Sequence, residues 1–147
     1  MKFHSFVYKY LLRIADNIDL LTTELLQNNG LKGLGRSHLE ILTVLLRKKE
    51  MTLSEIALHI ERRKATVTVL IKKLEKLGYC QRKVNENDQR SFYISLTPKG
   101  QQTKRVAFRI FSVLNQSMEA AFSTKESETL QNLLFKLYQK TKANSDM

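Results

Sequence analysis

The stretch TLSEIALHIERRKATVTVLIKKLEKLGYC, residues 52–80, decides the fold. Thr52 and Glu55 stand three apart at the head of a short apolar-periodic run, the spacing at which a hydroxyl and a carboxylate reciprocally cap a helix start. Ile56, Ala57 and Ile60 then share one side, which predicts a short helix. After the polar break Glu61-Arg62-Arg63-Lys64, the residues Val67, Leu70, Ile71, Leu74 and Leu77 recur at three and four spacing. A second helix buries that stripe, and Gly78 stops it.

Downstream the period changes from helical to alternating. Residues 79–84 and 91–96 read as two short strands flanking the turn-forming run Asn85-Glu86-Asn87-Asp88-Gln89-Arg90, a hairpin with a charged tip. Thr97-Pro98 opens a helix that runs beyond Met118, with Val106, Ile110, Val113, Leu114 and Ala121 inward. A final helix starting at Ser123 or Thr124 turns Leu130, Leu133, Leu134 and Leu137 inward.

Upstream, Ser37 and Glu40 repeat the capping-box spacing and open a helix with the stripe Leu39, Leu42, Leu45 and Leu46. Before it, apolar residues from Phe3 to Leu25 recur at helical spacing, ending near Asn28-Asn29-Gly30. The expected fold is mostly α. A winged helix-turn-helix lobe spans residues 36–98, with its motif at about 53–76, and long helices at 1–34 and 101–147 form a helical dimerisation region.

Charge singles out the same central segment. The chain carries a formal net charge of +11, and from Arg62 to Lys83 eight basic side chains face a single acid, Glu75. A row of cations on a helix that can enter a groove about 12 Å wide points to double-stranded DNA. On the second helix the face opposite the apolar stripe supplies Arg63, Lys64, Ala65, Thr66, Thr68, Val69, Lys72, Lys73 and Lys76. Lys64, Thr66 and Thr68 suit base edges or phosphates, Val69 a thymine methyl, and the later lysines phosphates. The hairpin adds Lys83, Asn85, Asn87, Asp88 and Arg90, and the helix starts at Ser37, Thr52 and Ser54 offer backbone N–H groups to phosphates.

Several blocks in register resemble the MarR family: Thr52-Leu53-Ser54-Glu55-Ile56-Ala57, Thr66-Val67-Thr68, Leu74-Glu75-Lys76-Leu77-Gly78-Tyr79, Asn87-Asp88-Gln89-Arg90 and Ser95-Leu96-Thr97-Pro98-Lys99-Gly100. The resemblance implies a homodimeric transcription regulator, a repressor on a pseudo-palindromic operator, released by a ligand or by oxidation. It also implies that the Asp88 carboxylate orients the Arg90 guanidinium into a narrow minor groove. A small aromatic or anionic ligand is a further implication, with Phe3, Phe6, Tyr10 and Phe111 as wall residues, although the same aromatics read more simply as dimer core. The sequence departs from the family where the second helix begins: Arg62-Arg63-Lys64 replaces the usual Ser or Asp cap, leaving its first N–H groups without a side-chain partner.

Other chemistry finds little support. Cys80, the single cysteine, reads as a small inward hydrophobe; a redox sensor would need exposure and a stabilised thiolate. His4, His38 and His59 are scattered, so no metal and no cofactor are expected. No phosphate loop, nucleophile elbow or acid–base set suggests an enzyme. No apolar run nears the roughly 18 residues of a membrane span, the start lacks a signal-peptide pattern, and a cytoplasmic location follows. The competing expectation is a winged helix that docks a protein and binds no specific DNA.

Overall fold

The structure is a computed structural model that describes the backbone of residues 2–145 and the side chains of residues 6–142. Phe3 and His4 therefore lie outside the described side chains. In chain order the elements are α1 (Lys2–Asn28), α2 (Arg36–Lys48), β1 (Glu50–Thr52), α3 (Leu53–His59), α4 (Lys64–Lys76), β2 (Cys80–Val84), β3 (Phe92–Leu96), α5 (Pro98–Gln102), α6 (Lys104–Ala121) and α7 (Thr124–Ser145). The chain divides into two compact units, Met1–Ile110 and Phe111–Met147.

In the first unit α2 is the central post. It buries His38, Leu39, Ile41, Leu42, Val44 and Leu45, which is more than one stripe of its surface. Around it close Leu26 of α1, Ile56 of α3, Val67, Ile71 and Leu74 of α4 and Ile94 of β3, each essentially excluded from solvent, as is Ile110 of α6. Each such aliphatic side chain contributes about 1.5–3 kcal/mol relative to exposure. Residues 31–96 of this unit thus hold α4 firmly by one face and leave the other free.

Three local readings are corrected. The expected hairpin forms between β2 and β3, but its sheet is larger than two strands: Glu50–Thr52 adds β1, and the antiparallel order is β1-β3-β2 with Met51 opposite Ile94 and Arg82 opposite Ile94 on the other side. Three residues are too few to display a period of two, so β1 is visible only through its partner.

The second correction concerns α2, which starts at Arg36 with Gly35 as its cap, so the expected Ser37–Glu40 box does not form. His38 Nδ1 accepts the Gly35 N–H at 3.1 Å, doing what a glutamate at that position would do, and Ser37 falls inside the first turn. Third, the helix opened by Thr97 and Pro98 is interrupted at Thr103. There the buried Thr103 hydroxyl donates to the Gly100 carbonyl at 2.6 Å, and α6 begins afresh.

The Thr52–Glu55 box does form, with Thr52 N–H donating to Glu55 Oε2 at 2.7 Å and Glu55 N–H to Thr52 Oγ1 at 3.3 Å. In the second unit α7 starts on the same device, Ser123 N–H donating to Glu126 Oε2 at 2.8 Å. There Val113, Leu114, Leu130 and Leu137 are half-buried, whereas Ala121, Leu133 and Leu134, expected inward, are exposed. Within a single chain this unit has too little partner surface to cover them.

Candidate nucleic-acid interface

The free face of α4 is built by subtraction. With Val67, Ile71 and Leu74 locked inward, a 3.6-residue period turns Ala65, Val69, Lys72 and Lys76 directly outward, and all four are exposed. Val69 is 67% exposed, which leaves its methyl groups free to meet a ligand. Thr66 and Lys73 flank this row on one side and Lys64 and Thr68 on the other. Lys73 leans toward the α1–α2 turn, its Nζ 3.8 Å from where a side chain on Gly33 would begin. The Thr68 hydroxyl, half-buried, donates to its own helix at the Lys64 carbonyl, 2.8 Å away, which leaves it an acceptor toward any ligand.

The start of α4 is bare, as the sequence implied. Arg63 is the N-cap residue in extended conformation and supplies no side-chain cap. The preceding turn is closed by Arg62 N–H donating to the Ala57 carbonyl at 3.0 Å, with Glu61 at φ 53. Arg63, Lys64, Ala65 and Thr66 are all exposed there, so uncapped N–H groups and cations share one end of the helix.

The hairpin tip is more ordered than its polar composition suggested. Asn85, expected as an outward contact, is buried: its Oδ1 accepts the Asn87 N–H at 3.0 Å and its Nδ2 donates to Ser91 Oγ at 3.0 Å. A side chain spent on both arms of the loop shapes the tip and does not face out of it. Lys83, Asn87, Asp88 and Arg90 are exposed. Asp88 does not pair with the Arg90 guanidinium; its Oδ1 accepts the Arg90 backbone N–H at 3.1 Å. The carboxylate therefore fixes the backbone from which Arg90 projects and leaves the guanidinium free of an ion pair.

Between the tip, the start of α3 and α4 lies a cleft of about 230 Å³ whose walls include Thr52, Ser54, Lys64, Thr68, Arg82 and Arg90. Ser54 is exposed, Thr52 and Ser37 half-buried. Sequence reading missed Arg82, which donates to Glu75 through Nε at 2.6 Å and through Nη2 at 3.0 Å. The seven-residue separation crosses from helix to strand, so no periodicity announces it.

Cys80 packs inward at the root of β2, and burial, helped by the Glu75 charge, pushes its thiol up to about 12. A thiol so protonated is a poor nucleophile near neutral pH. His38 is buried; burial and the Lys73 charge hold its pKa below the usual value. Among the described residues no group of three or more His, Cys, Asp or Glu could hold a metal, and no helix is long and apolar enough to cross a membrane. Of the aromatics expected around a ligand, Phe6 and Tyr10 stand exposed on α1 and Phe111 is exposed on α6.

Residues 34–92 match the MarR family. The HTH-type transcriptional regulator SarZ of Staphylococcus saprophyticus is 37% identical over 78 residues, which is 50% of this chain and 52% of that protein. BilQ of Clostridioides difficile, also an HTH-type transcriptional regulator, is 31% identical over 88 residues, 59% of this chain and 60% of that protein. The chain thus spans about half the length of the curated relatives it matches. Among solved structures, Streptococcus pneumoniae FabT in complex with DNA superposes with a TM-score of 0.82 at 23% identity, covering 95% of this chain and 98% of that one. The S. aureus MepR–DNA complex gives 0.82 at 24% identity, covering 90% and 97%. At these identities the likeness establishes the winged-helix fold.

Proposed function

We propose that this chain, whose residues 34–92 match the MarR family, is a sequence-specific, double-stranded-DNA-binding transcription regulator acting as a homodimer. The observation that carries this reading is the outward row Ala65, Val69, Lys72 and Lys76, opposite a fully buried stripe on one helix. A helix held this way offers a small apolar contact for thymine methyls and cations for the phosphates on either side of a major groove. Arg90, projecting from a tip whose backbone is fixed, reaches the adjacent minor groove. Arg62, Arg63 and Lys64, exposed at the uncapped start of α4, receive backbone phosphates.

Docking to a protein partner would need no such row of lysines, which disfavours the competing expectation. Cys80, buried and protonated, does not support release by oxidation at this chain's own thiol. Relief of binding then falls to a ligand, and occupancy of a promoter makes the protein a repressor. The chain works by binding alone, without catalysis, in the cytoplasm.

Homodimer formation is supported by apolar side chains that one chain leaves in water. On α1, Phe6, Tyr10, Ile14 and Ile18 form an exposed stripe at four-residue spacing, and on α7 Leu133, Leu134, Phe135 and Tyr138 are exposed. The flanking segments 1–34 and 101–147 supply that interface, and two copies of α4 then meet half-sites about 34–36 Å apart.

Sequencing of duplexes selected from a random pool by the purified protein tests the proposal. The expected result is an enriched pseudo-palindrome whose affinity falls steeply with salt. No enrichment, together with a monomeric mass in sedimentation, would falsify it.

A further inference from the structure

The outer half of the hairpin has little to hold it. β2 is an edge strand, hydrogen-bonded only to β3, and of its five residues only Cys80 is buried; Gln81, Arg82, Lys83 and Val84 are exposed. The tip orders itself through Asn85, Asp88 and Ser91, yet those bonds stay within the loop and do not reach α4. One side-chain link does reach it. The Arg82 guanidinium donates twice to the Glu75 carboxylate, and its carbon stands 6.0 Å from the centroid of Phe92 on β3. Helix α4, strand β2 and strand β3 thus meet at one planar cation.

Glu75 is also the one acid in the strongly basic segment from Arg62 to Lys83. By Coulomb's law alone it is a liability on a surface meant for a polyanion, since it cancels part of the attraction. Its side chain is mostly covered and fully engaged with Arg82, so its value lies elsewhere than in solubility. Bidentate carboxylate–guanidinium geometry fixes orientation as well as distance.

We propose that Glu75 is a positioning residue for DNA reading: by gripping Arg82 it locks the hairpin root to α4, so that recognition helix and Arg90 meet the duplex at one fixed spacing. The proposal rests on the DNA-binding reading above and assigns to Glu75 a role in sequence specificity through Arg82, without contact to DNA. A rigid pair of probes loses less entropy on docking and rejects sites whose groove spacing differs. A hairpin free to swing would bind most duplexes and discriminate little.

The isosteric Glu75→Gln variant gives opposite signs for the two views. If Glu75 is only a misplaced charge, its removal strengthens binding to every duplex. If it positions the hairpin, affinity for the selected operator falls about three- to tenfold while affinity for an unrelated duplex stays level or rises. A rise on both duplexes in step would overturn the proposal.

A double-mutant cycle with Arg82→Gln reads the pair itself. The double variant is expected to lose no more of the operator-to-unrelated ratio than the worse single variant, and additive losses count against a linked pair. Amide exchange supplies a DNA-free readout: in Glu75→Gln the N–H groups of residues 82–84 and 92–94 should exchange faster, with α4 unchanged. Equal exchange in the two proteins would refute the lock. If the unaltered chain enriches no sequence, the DNA-binding reading itself fails and takes this proposal with it. If the unaltered chain reads DNA and Glu75→Gln reads it equally well, the proposal alone fails.

Discussion

Lys99 reaches back from the first turn of α5 to donate from Nζ to the Leu77 carbonyl at 2.7 Å, and its ammonium lies 4.5 Å from the centroid of the Tyr79 ring. The same short segment holds the next two residues. Thr97 Oγ1 donates to the Gly78 carbonyl, and Thr97 N–H donates to the Tyr79 carbonyl at 3.0 Å. Three consecutive carbonyls at the end of α4 are thus satisfied by Thr97 and Lys99, and the Thr-Pro-Lys-Gly block acts as a clamp on the C-terminal end of the recognition helix.

Gly100 is the part of that clamp that tolerates no change. A methyl group on it would overlap the Tyr79 carbonyl oxygen and crowd the Leu96 side chain. Gly100→Ala is therefore expected to destabilise the protein by about 3 kcal/mol, read as a lower denaturant midpoint at an unchanged slope. A midpoint equal to that of the unaltered chain would mean the clamp yields easily.

Lys72 and Arg90 are expected to fail differently. Lys72→Ala should weaken all duplexes alike and reduce the salt slope by about one. Arg90→Ala should cost about 1–3 kcal/mol on the selected operator and far less on unrelated DNA. Titrations on both duplexes at several salt concentrations separate the two, and an unchanged operator affinity for Arg90→Ala removes the hairpin tip from the interface.

His38 makes stability depend on pH. Its Nδ1 accepts the Gly35 N–H, so the folded state needs the neutral imidazole, and its pKa lies below the ordinary 6.5. Because the unfolded chain binds the proton more readily, this contribution is complete above about 6.5 and is lost as pH falls from there through the lower folded value. Thermal melts from pH 7.5 downward should show the decline, and His38→Gln, which keeps an acceptor but does not titrate, should flatten it. An equal decline in both proteins assigns the effect to other groups.

Cys80 should resist thiol reagents. With the thiol pushed up to about 12 and the side chain enclosed, labelling at pH 8 is expected to be slow in the folded protein and rapid in denaturant. Labelling at the same rate in both would show that the strand root opens freely.

The legible parts of this fold are those decided within one turn of chain. The Thr52–Glu55 box, the stripe from Val67 to Leu74 and the change of period after Gly78 each rest on neighbours a few residues apart, and each stands in the structure. What escaped reading depends on partners far along the chain. β1 exists because Met51 meets Ile94, and Glu75 finds Arg82 across a helix end. The resemblance implies that the Asp88 carboxylate orients the Arg90 guanidinium, whereas its Oδ1 accepts the Arg90 backbone N–H, because a spacing of two cannot tell one donor from the other. His38 as a cap partner was hidden because imidazole is a rare substitute for glutamate.

The sheet order has a consequence for how the protein behaves when crowded. With β3 in the middle, the backbone groups on the outer side of β2 lie open to water, a ready template for a foreign strand. Of the side chains on that margin Arg82 is neutralised by Glu75, and Lys83 keeps a positive charge there, so that two copies meeting edge to edge repel before their backbones can zip together. A cation offered to phosphates thereby also guards the molecule against clumping with itself.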